Sequence, residues 1–321
     1  MTQPRILIVG AGAVGGFFGA KLLLAGRDVT FLVRQARAAQ LARDGLVLHT
    51  ASGDASTVAP TVTAAELASR RESGTGDDWD VVIVTVKAFG LAGALEDIAP
   101  AIGPRTLVLP VLNGMKHIDV LRERFGDEHV LGGLAMVSTT LNEDGSITQL
   151  FGGAGLTYGA LTSGTIAPDD PRIVALDDAL SDAGFRATLS RDIERDLWQK
   201  WIVLGSGGAL TCLLRAPVGE IVAVRGGKQT ALAIVAEFAA LATAAGITPD
   251  EARLSSIRET LTEAGSGFTT SMYRDLARGN PVEADQILGD AVERANHLGV
   301  AVPLLTAAYV SLAVYQASRD S

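Results

Sequence analysis

The sequence has few of the features that mark several common classes of protein. It holds a single cysteine, Cys212, so it can form neither an intrachain disulfide nor a cysteine metal cluster. Its four histidines are scattered, without the short spacing of a metal-binding pair. The net charge of −9 argues against a general affinity for nucleic acid or for an anionic membrane surface. We therefore expect no metal, no nucleic acid and no membrane among its ligands.

Long apolar runs are also missing. No segment reaches the about 18 uninterrupted apolar residues of a membrane span. The first residues contain no basic stretch followed by the apolar core of a signal peptide, because the first apolar run is only as long as a strand. We expect a cytoplasmic protein.

The order of predicted elements divides the chain into two parts. Up to about residue 190, β-type runs alternate with helical runs, which is typical of a doubly wound α/β sheet. The predicted strands are 5–9, 28–33, 80–86 and 106–112, with a hairpin over 46–62 and helices over 90–99 and near 171–183. The remaining chain is dominated by helical runs over 192–214, 217–224, 228–245, 249–262, 266–278 and 281–298. The sequence therefore predicts an α/β domain over residues 1–190 and an all-α domain over 191–321.

A glycine-rich turn follows the first predicted strand and opens a predicted helix. It reads "GAGAVG" and consists of Gly10, Ala11, Gly12, Ala13, Val14 and Gly15. In a Rossmann-type domain the first glycine permits the tight turn, the second lets the backbone approach a pyrophosphate, and the third lets the helix pack closely on the strand. A glycine-rich turn without a ligand is the alternative, but the strand–turn–helix context favours a dinucleotide site.

The end of the second strand indicates which dinucleotide is bound. NAD-selective sites usually place a carboxylate there, whereas this chain reads "FLVRQAR", with Arg34 at that position and Arg37 nearby. A guanidinium suits a 2′-phosphate, so we expect NADPH/NADP as the cofactor. The alternative is a solvated arginine at the end of a strand.

A lysine interrupts an apolar stripe in "DLWQKWIVLG". With helical spacing, Ile193, Leu197, Lys200 and Leu204 lie on one face. The ammonium group either extends from the stripe into water, or faces an enclosed site where desolvation lowers its pKa. In the second case Lys200 is suited to be a general acid.

These features, together with "VTVKAF", "VLNGM" and "TTSMYRDLARGNPVEADQILG", resemble those of the ketopantoate reductases (2-dehydropantoate 2-reductases). The resemblance covers nearly the whole chain. It implies NADPH-dependent reduction of a small 2-keto acid, ketopantoate, to pantoate on the pathway to pantothenate, in a cleft between the two domains. Two alternatives remain: a reductase of a different 2-keto acid or carbonyl compound, or a non-catalytic NADPH-binding sensor.

The resemblance also assigns roles to individual residues. By motif, Lys87 and Asn113 lie near the nicotinamide, Asn113 also contacts substrate, Lys200 is catalytic, Ser271 binds substrate, Glu283 organises the cofactor and the closed site, and Ser138 offers its backbone to the cofactor. Four of these residues have a structural alternative: a solvated strand end for Lys87, a turn for Asn113, a surface hydroxyl for Ser271 and a helix capping box for Glu283.

The chain departs from the family pattern after the catalytic lysine. The better-characterised reductases carry substrate-binding asparagines one and two turns later, where this chain has Leu204 and Gly208. Hydride chemistry can persist through such a change while the substrate differs. Whether the apolar helices near 228–245 and 300–317 pack on each other or form a homodimer is left open by the sequence.

Overall fold

Residues 3–74 and 79–319 are described by a computed structural model, in which the chain forms two compact units. The first contains the chain up to Leu112 together with His117–Glu194. The second contains Asn113–Lys116 together with the chain from Arg195 onward. The short loop Asn113–Lys116 thus leaves the α/β part of the sequence and packs with the helical part.

The first unit is built on a five-stranded parallel sheet. In chain order, the strands of this unit are β1 (Ile6–Val9), β2 (Val29–Leu32), β3 (Leu46–Thr50), β4 (Gly53–Thr57), β5 (Thr61–Val62), β6 (Val81–Val84), β7 (Leu107–Pro110), β8 (Leu131–Met136), β9 (Thr139–Leu141), β10 (Ile147–Gln149), β11 (Gly155–Ala160) and β12 (Arg186–Leu189). The parallel sheet has the order β5-β2-β1-β6-β7. β1, β6 and β7 are buried along their whole length, because helices cover both faces of such a sheet, and their sequences are continuous apolar runs.

Helices connect these strands. They are α1 (Ala13–Leu24), α2 (Gln35–Asp44), α3 (Ala64–Glu72), α4 (Leu91–Ile98), α5 (Lys116–Phe125) and α6 (Pro171–Leu180). Phe17 of α1 and Phe31 of β2 are buried in one core that also includes Tyr158 of β11. A Rossmann-type α/β unit followed by helices confirms the predicted fold class.

Two smaller sheets complete the first unit, with the orders β4-β3-β10-β9 and β12-β11-β8. The predicted hairpin over 46–62 is partly wrong. β3 and β4 form it, but Thr61–Val62 pairs in parallel with β2 of the main sheet. The reason is that Pro60 ends the hairpin, and its carbonyl accepts a hydrogen bond from the backbone N–H of Phe31.

The second unit is helical. After α7 (Ile193–Leu214), its helices are α8 (Val218–Ala223), α9 (Gly227–Ala244), α10 (Glu251–Thr260), α11 (Ser271–Ala277), α12 (Asp290–Leu298) and α13 (Pro303–Arg319), with a π-helical turn over Asp285–Gly289. Trp201 and Phe238 are buried in its core with their rings in edge contact. Among the residues described, no helix combines the length and apolar character needed to cross a membrane.

Two helices of this unit are shorter than predicted. The helix expected over 266–278 begins only at Ser271, because the side chain of Thr270 caps it by accepting a hydrogen bond from Tyr273 N. The helix expected over 281–298 begins near Ala284 and passes through the π-helical turn before α12. Glu283 therefore precedes the helix.

Candidate active site

The turn between β1 and α1 is tightly packed at one glycine and open at another. Gly10 has a φ of +95°, a conformation that favours glycine. A methyl group on Gly15 would overlap the carbonyl oxygen of Gly10 and the hydroxyl of Thr85, so α1 could not approach the sheet this closely with a larger residue. A methyl group on Gly12 would have no described atom within 4 Å. The backbone at Gly12 therefore borders open space.

The N-terminus of α1 is suited to bind a negatively charged ligand. Gly12 is the N-cap, and no side chain in the described part of the chain caps the helix. The N–H groups of its first turn and the positive end of the helix dipole form a typical phosphate site. The residues of this turn, from Gly10 to Gly15, thus fit the pyrophosphate of a dinucleotide.

Two arginines follow β2 in different surroundings. Arg37 is partly buried and donates hydrogen bonds to the carbonyls of Ala11 and Gly145, each at 3.0 Å, and to Gln40 Oε1 at 2.7 Å. Arg34 is exposed, and no other described residue forms a hydrogen bond or an ion pair with its guanidinium. Arg37 therefore fixes the glycine turn, whereas Arg34 is available to a ligand.

Three of the residues marked by the family resemblance follow neighbouring strands. β6 pairs with β1 in parallel, so Lys87 after β6 comes to the same edge as the glycine turn. β7 is next in the sheet, and a parallel bridge between Val108 and Val130 sets β8 beside it. Asn113 follows β7, and Ser138 follows β8. Open α/β sheets bind their ligands at this edge.

Thr85, which is not among the residues predicted from the sequence, fixes this edge. Its hydroxyl donates a hydrogen bond to the carbonyl of Val9 at 2.7 Å and lies 3.2 Å from the carbonyl oxygen of Gly10. It thereby holds the end of β6 against the glycine turn. A single threonine at the end of a strand carries no signal that sequence reasoning could have used.

The loop that carries Asn113 is held by a residue far along the chain. Gly114 has a φ of +83°, which suits the predicted Asn-Gly turn. Gln286 Nε2 donates a hydrogen bond to the carbonyl of Asn113 at 2.9 Å, and a methyl group on Gly114 would overlap the carbonyl oxygen of Gln286. Asn113 could be selected from its motif, whereas no sequence pattern marks Gln286.

Lys200 occupies an apolar environment on α7. Leu197 and Trp201 are buried, and Lys200 itself is partly buried. Burial lowers the pKa of Lys200 to about 8, and the negative charge of Glu283 opposes this shift. An ammonium group of this pKa is protonated at neutral pH yet transfers its proton readily, as a general acid must.

Glu283 does not belong to a capping box with Asn280. The capping-box alternative needs Asn280 as the N-cap, but residues 281–283 are not helical. Instead, the Glu283 carboxylate lies near enough to Lys200 to raise the pKa of that lysine. The structure thus brings together two residues that are more than eighty positions apart in the chain.

Trp201 fixes the neighbourhood of this pair. Its Nε1 donates a hydrogen bond to the carbonyl of Ile287 at 2.9 Å, in the π-helical turn that follows Glu283. Its ring also contacts those of Trp198 and Phe238. The residue next to Lys200 is therefore anchored to the segment next to Glu283.

Ser271 is the first residue of α11, and its side chain is exposed. The adjacent Met272 is buried and covers Gly208 of α7, since a methyl group on Gly208 would lie 2.6 Å from Met272 Cε. The segment that carries Ser271 therefore packs against the helix of Lys200.

Comparison with known proteins gives the family. Residues 6–163 match the family model of ketopantoate reductase PanE/ApbA, and residues 192–316 match the model of its C-terminal region. The oxidoreductase YkpB of Bacillus subtilis, itself uncharacterised, is 34% identical over 98% of this chain and 100% of its own. The chain belongs to the ketopantoate reductase family.

Other members and neighbours of the family differ in what their names say they act on. A 2-dehydropantoate 2-reductase of Streptococcus pyogenes is 28% identical, over 93% of each chain. The structure of the 2-dehydropantoate 2-reductase of Geobacter metallireducens is 27% identical, with a TM-score of 0.82 over 97% of this chain and 99% of its own. That of D-mandelate dehydrogenase with NADH and anilino(oxo)acetate is 26% identical, with a TM-score of 0.83 over 99% and 100%.

These similarities make the chain an oxidoreductase of the ketopantoate reductase family, which acts on a CH–OH group. The ketopantoate reductase match spans both units of the structure, since the two family models cover the glycine turn and the helix of Lys200.

Proposed function

We propose that this protein reduces a small 2-keto acid to the 2-hydroxy acid with NADPH, and that 2-dehydropantoate (ketopantoate) is the first candidate substrate. The proposal rests on one observation: the ammonium group of Lys200 has a lowered pKa and lies near the carboxylate of Glu283. Such a pair supplies a proton at neutral pH. With this substrate, the enzyme would act in pantothenate biosynthesis.

Most residues of the proposed cofactor site belong to the α/β domain over residues 1–190. The backbone of Gly10, Ala11, Gly12, Ala13, Val14 and Gly15 holds the phosphates, and Arg34 holds the 2′-phosphate. Lys87, Asn113, Ser138 and Glu283 contribute further contacts. When bound, the reduced nicotinamide supplies the hydride.

The proposed catalytic residues belong to the helical domain over 191–321. Lys200 donates a hydrogen bond to the substrate's carbonyl oxygen, stabilises the negative charge that develops there, and transfers its proton to that oxygen. The Glu283 carboxylate keeps Lys200 protonated by raising its pKa. Ser271 and Asn113 donate hydrogen bonds to the substrate. General acid help of this kind accelerates a reaction by roughly 10²–10⁴-fold.

A second candidate substrate is a 2-keto acid with an apolar side group. Leu204 lies one turn after Lys200, and the side chain of Met272 covers Gly208 one turn further on. These side chains offer no hydrogen bond to the hydroxyl group of ketopantoate, and they suit a hydrocarbon group. The similarity to D-mandelate dehydrogenase, whose structure holds anilino(oxo)acetate, supports the same candidate.

One experiment tests the activity and separates the candidates. The rate of NADPH consumption is measured with ketopantoate, 2-ketoisovalerate and phenylglyoxylate, which differ in the hydroxyl group and in the size of the apolar group. Higher kcat/KM for ketopantoate supports the first candidate, and higher kcat/KM for either of the others supports the second. No consumption with any 2-keto acid would contradict the proposal and favour a nucleotide-binding sensor.

A further inference from the structure

The π-helical turn Asp285–Gly289 contacts two other elements of the second unit through consecutive residues. The side chain of Gln286 is buried, with 5% of its surface exposed, and its Nε2 donates a hydrogen bond to the carbonyl of Asn113 at 2.9 Å. The carbonyl of Ile287 accepts a hydrogen bond from Trp201 Nε1 at 2.9 Å. One turn therefore holds both the Asn113 loop and the residue that follows Lys200.

The contact at Gln286 is close in two places. Besides the side-chain hydrogen bond, the backbone of Gln286 approaches Gly114 so tightly that a methyl group there would overlap its carbonyl oxygen. Glu283 lies three positions before Gln286 on the same short segment. A change in the position of this turn would therefore affect Asn113, Glu283 and Trp201 together.

We propose that Gln286 is a positioning residue, which ties the Asn113 loop to the segment of Glu283 and so fixes the Asn113 amide relative to the Lys200–Glu283 pair. The structural part of this inference stands by itself, whereas its effect on turnover rests on the proposed function. Gln286 acts through other residues and needs no contact with substrate.

The hydrogen bond suits this role because it is buried. Removal of a buried donor leaves its acceptor, here the carbonyl of Asn113, without a partner in the protein interior. The loop must then move or take up water. The loop also forms an ion pair, between Lys116 Nζ and Glu293 Oε2 at 3.7 Å. This pair is largely solvated and contributes little to the stability of the loop. Loss of the Gln286 donor should therefore loosen the Asn113–Lys116 loop.

Hydrogen–deuterium exchange tests the tie without any substrate or cofactor. Gln286→Met keeps the length of the side chain and removes the donor, and Gln286→Glu keeps the shape and places a carboxylate oxygen against the Asn113 carbonyl. Either variant should raise the exchange rate of the backbone amides of Asn113–Lys116 by roughly tenfold, which corresponds to one buried hydrogen bond. The Glu variant serves if the Met variant does not fold.

Tyr309→Phe is the matched control. It removes a solvent-exposed hydrogen bond of the same π-helical turn, from the Tyr309 hydroxyl to Asp285 Oδ1 at 2.8 Å, in which neither Asn113 nor Trp201 takes part. Because this hydrogen bond is exposed, its loss should leave the position of the turn unchanged. Exchange at Asn113–Lys116 should stay at the wild-type rate in this variant. The same rate in the Gln286 variants as in wild type, or an equal rise in the control, would overturn the proposal.

A double-mutant cycle tests the catalytic consequence. Gln286→Met should lower kcat/KM by roughly 10–100-fold, as small displacements of a substrate-contacting group do. Asn113→Ala should then lower kcat/KM by a much smaller factor in the Gln286→Met background than in the wild type, because the amide is already displaced. In the Tyr309→Phe background it should lower kcat/KM by the same factor as in the wild type. Equal losses in all three backgrounds would show that Gln286 has only a general structural role.

The two readouts separate the two proposals. If the wild-type protein reduces no 2-keto acid, the proposed function fails, and hydrogen exchange still decides whether Gln286 holds the loop. If the wild type is active and the exchange rates of the Gln286 variants match those of the wild type, the positioning role fails alone.

Discussion

The carboxylate of Glu283 lies close enough to the ammonium group of Lys200 to raise its pKa, against a burial that lowers this pKa to about 8. Together, the two effects place the pKa of Lys200 just above neutral pH. A lysine at its usual value of 10.5 would be a weaker acid, and a lysine without the nearby carboxylate would lose its proton more easily. The pair is therefore matched to proton donation at neutral pH.

The activity of the enzyme should depend on pH through this group. Because Lys200 must be protonated to act as the proposed general acid, kcat/KM for keto acid reduction should be constant below pH 8 and fall above it. Glu283→Gln removes the charge that raises this pKa, so the fall should begin at a lower pH. Measuring kcat/KM between about pH 6 and about pH 10 in both proteins checks this. A fall at the same or a higher pH in the variant would argue against the pair.

The same group should lower stability in a pH-dependent way. Its folded-state pKa of about 8 lies below the unfolded value of 10.5, so the unfolded chain binds more protons between these values. The cost of burial is therefore fully present below pH 8 and is recovered as the pH rises toward 10.5. At pH 7 it amounts to about 3 kcal/mol.

Lys200→Met tests this cost in the Glu283→Gln background, in which the negative charge of Glu283 is already removed. At pH 7 the free energy of unfolding should be larger for the double variant than for Glu283→Gln alone. The difference should shrink as the pH rises toward 10.5. Urea unfolding at both pH values measures it. A difference that does not depend on pH would mean that Lys200 is not desolvated in the folded protein.

Two glycines of the proposed phosphate-binding turn should respond differently to the same substitution. Gly12→Ala adds a methyl group where no described atom lies within 4 Å, so it should leave the stability unchanged while it weakens NADPH binding. Gly15→Ala should destabilise the fold by about 1–3 kcal/mol, because its methyl group meets Gly10 and Thr85.

Thermal unfolding and NADPH titration separate these effects. Gly93→Ala is a control, since it also adds a methyl group in open space but away from the turn. Unchanged NADPH affinity in Gly12→Ala would mean that the phosphates bind elsewhere.

The two arginines after β2 should also differ. Arg34→Ala should weaken NADPH binding by roughly 10–100-fold and leave NADH binding unchanged, because a charge-assisted contact to the 2′-phosphate is lost. Arg37→Ala should weaken both cofactors alike, since Arg37 holds the turn through Ala11 and Gly145. The dissociation constants of NADPH and NADH, measured with both variants, distinguish these two effects. An unchanged NADPH preference in Arg34→Ala would contradict the proposed cofactor.

Much of the α/β unit could be predicted from local signals. The apolar runs of β1, β6 and β7 are readable because parallel strands are buried on both faces, and the glycine spacing marks the turn before α1. Even so, Thr61–Val62 leaves the hairpin for the main sheet, since strand pairing depends on contacts that are distant in sequence.

The surroundings of Lys200 could be predicted less well. An apolar stripe around Lys200 indicates a desolvated lysine, but nothing local to it indicates Glu283, Gln286 or the π-helical turn. The motif "NPVE" favours a capping box by spacing alone, yet the helix begins after it. Contacts such as that of Trp201 with Ile287 join segments that only the tertiary fold brings together.

The central claim is that Lys200 is the proton donor, and turnover by Lys200→Ala tests it most directly. The matched control is Lys228→Ala, which removes an exposed lysine of the same unit. We expect Lys200→Ala to bind NADPH as the wild type does and to lose roughly 10²–10⁴-fold in kcat with the best 2-keto acid, while the control keeps its activity. A kcat near the wild-type value in Lys200→Ala would contradict the mechanism.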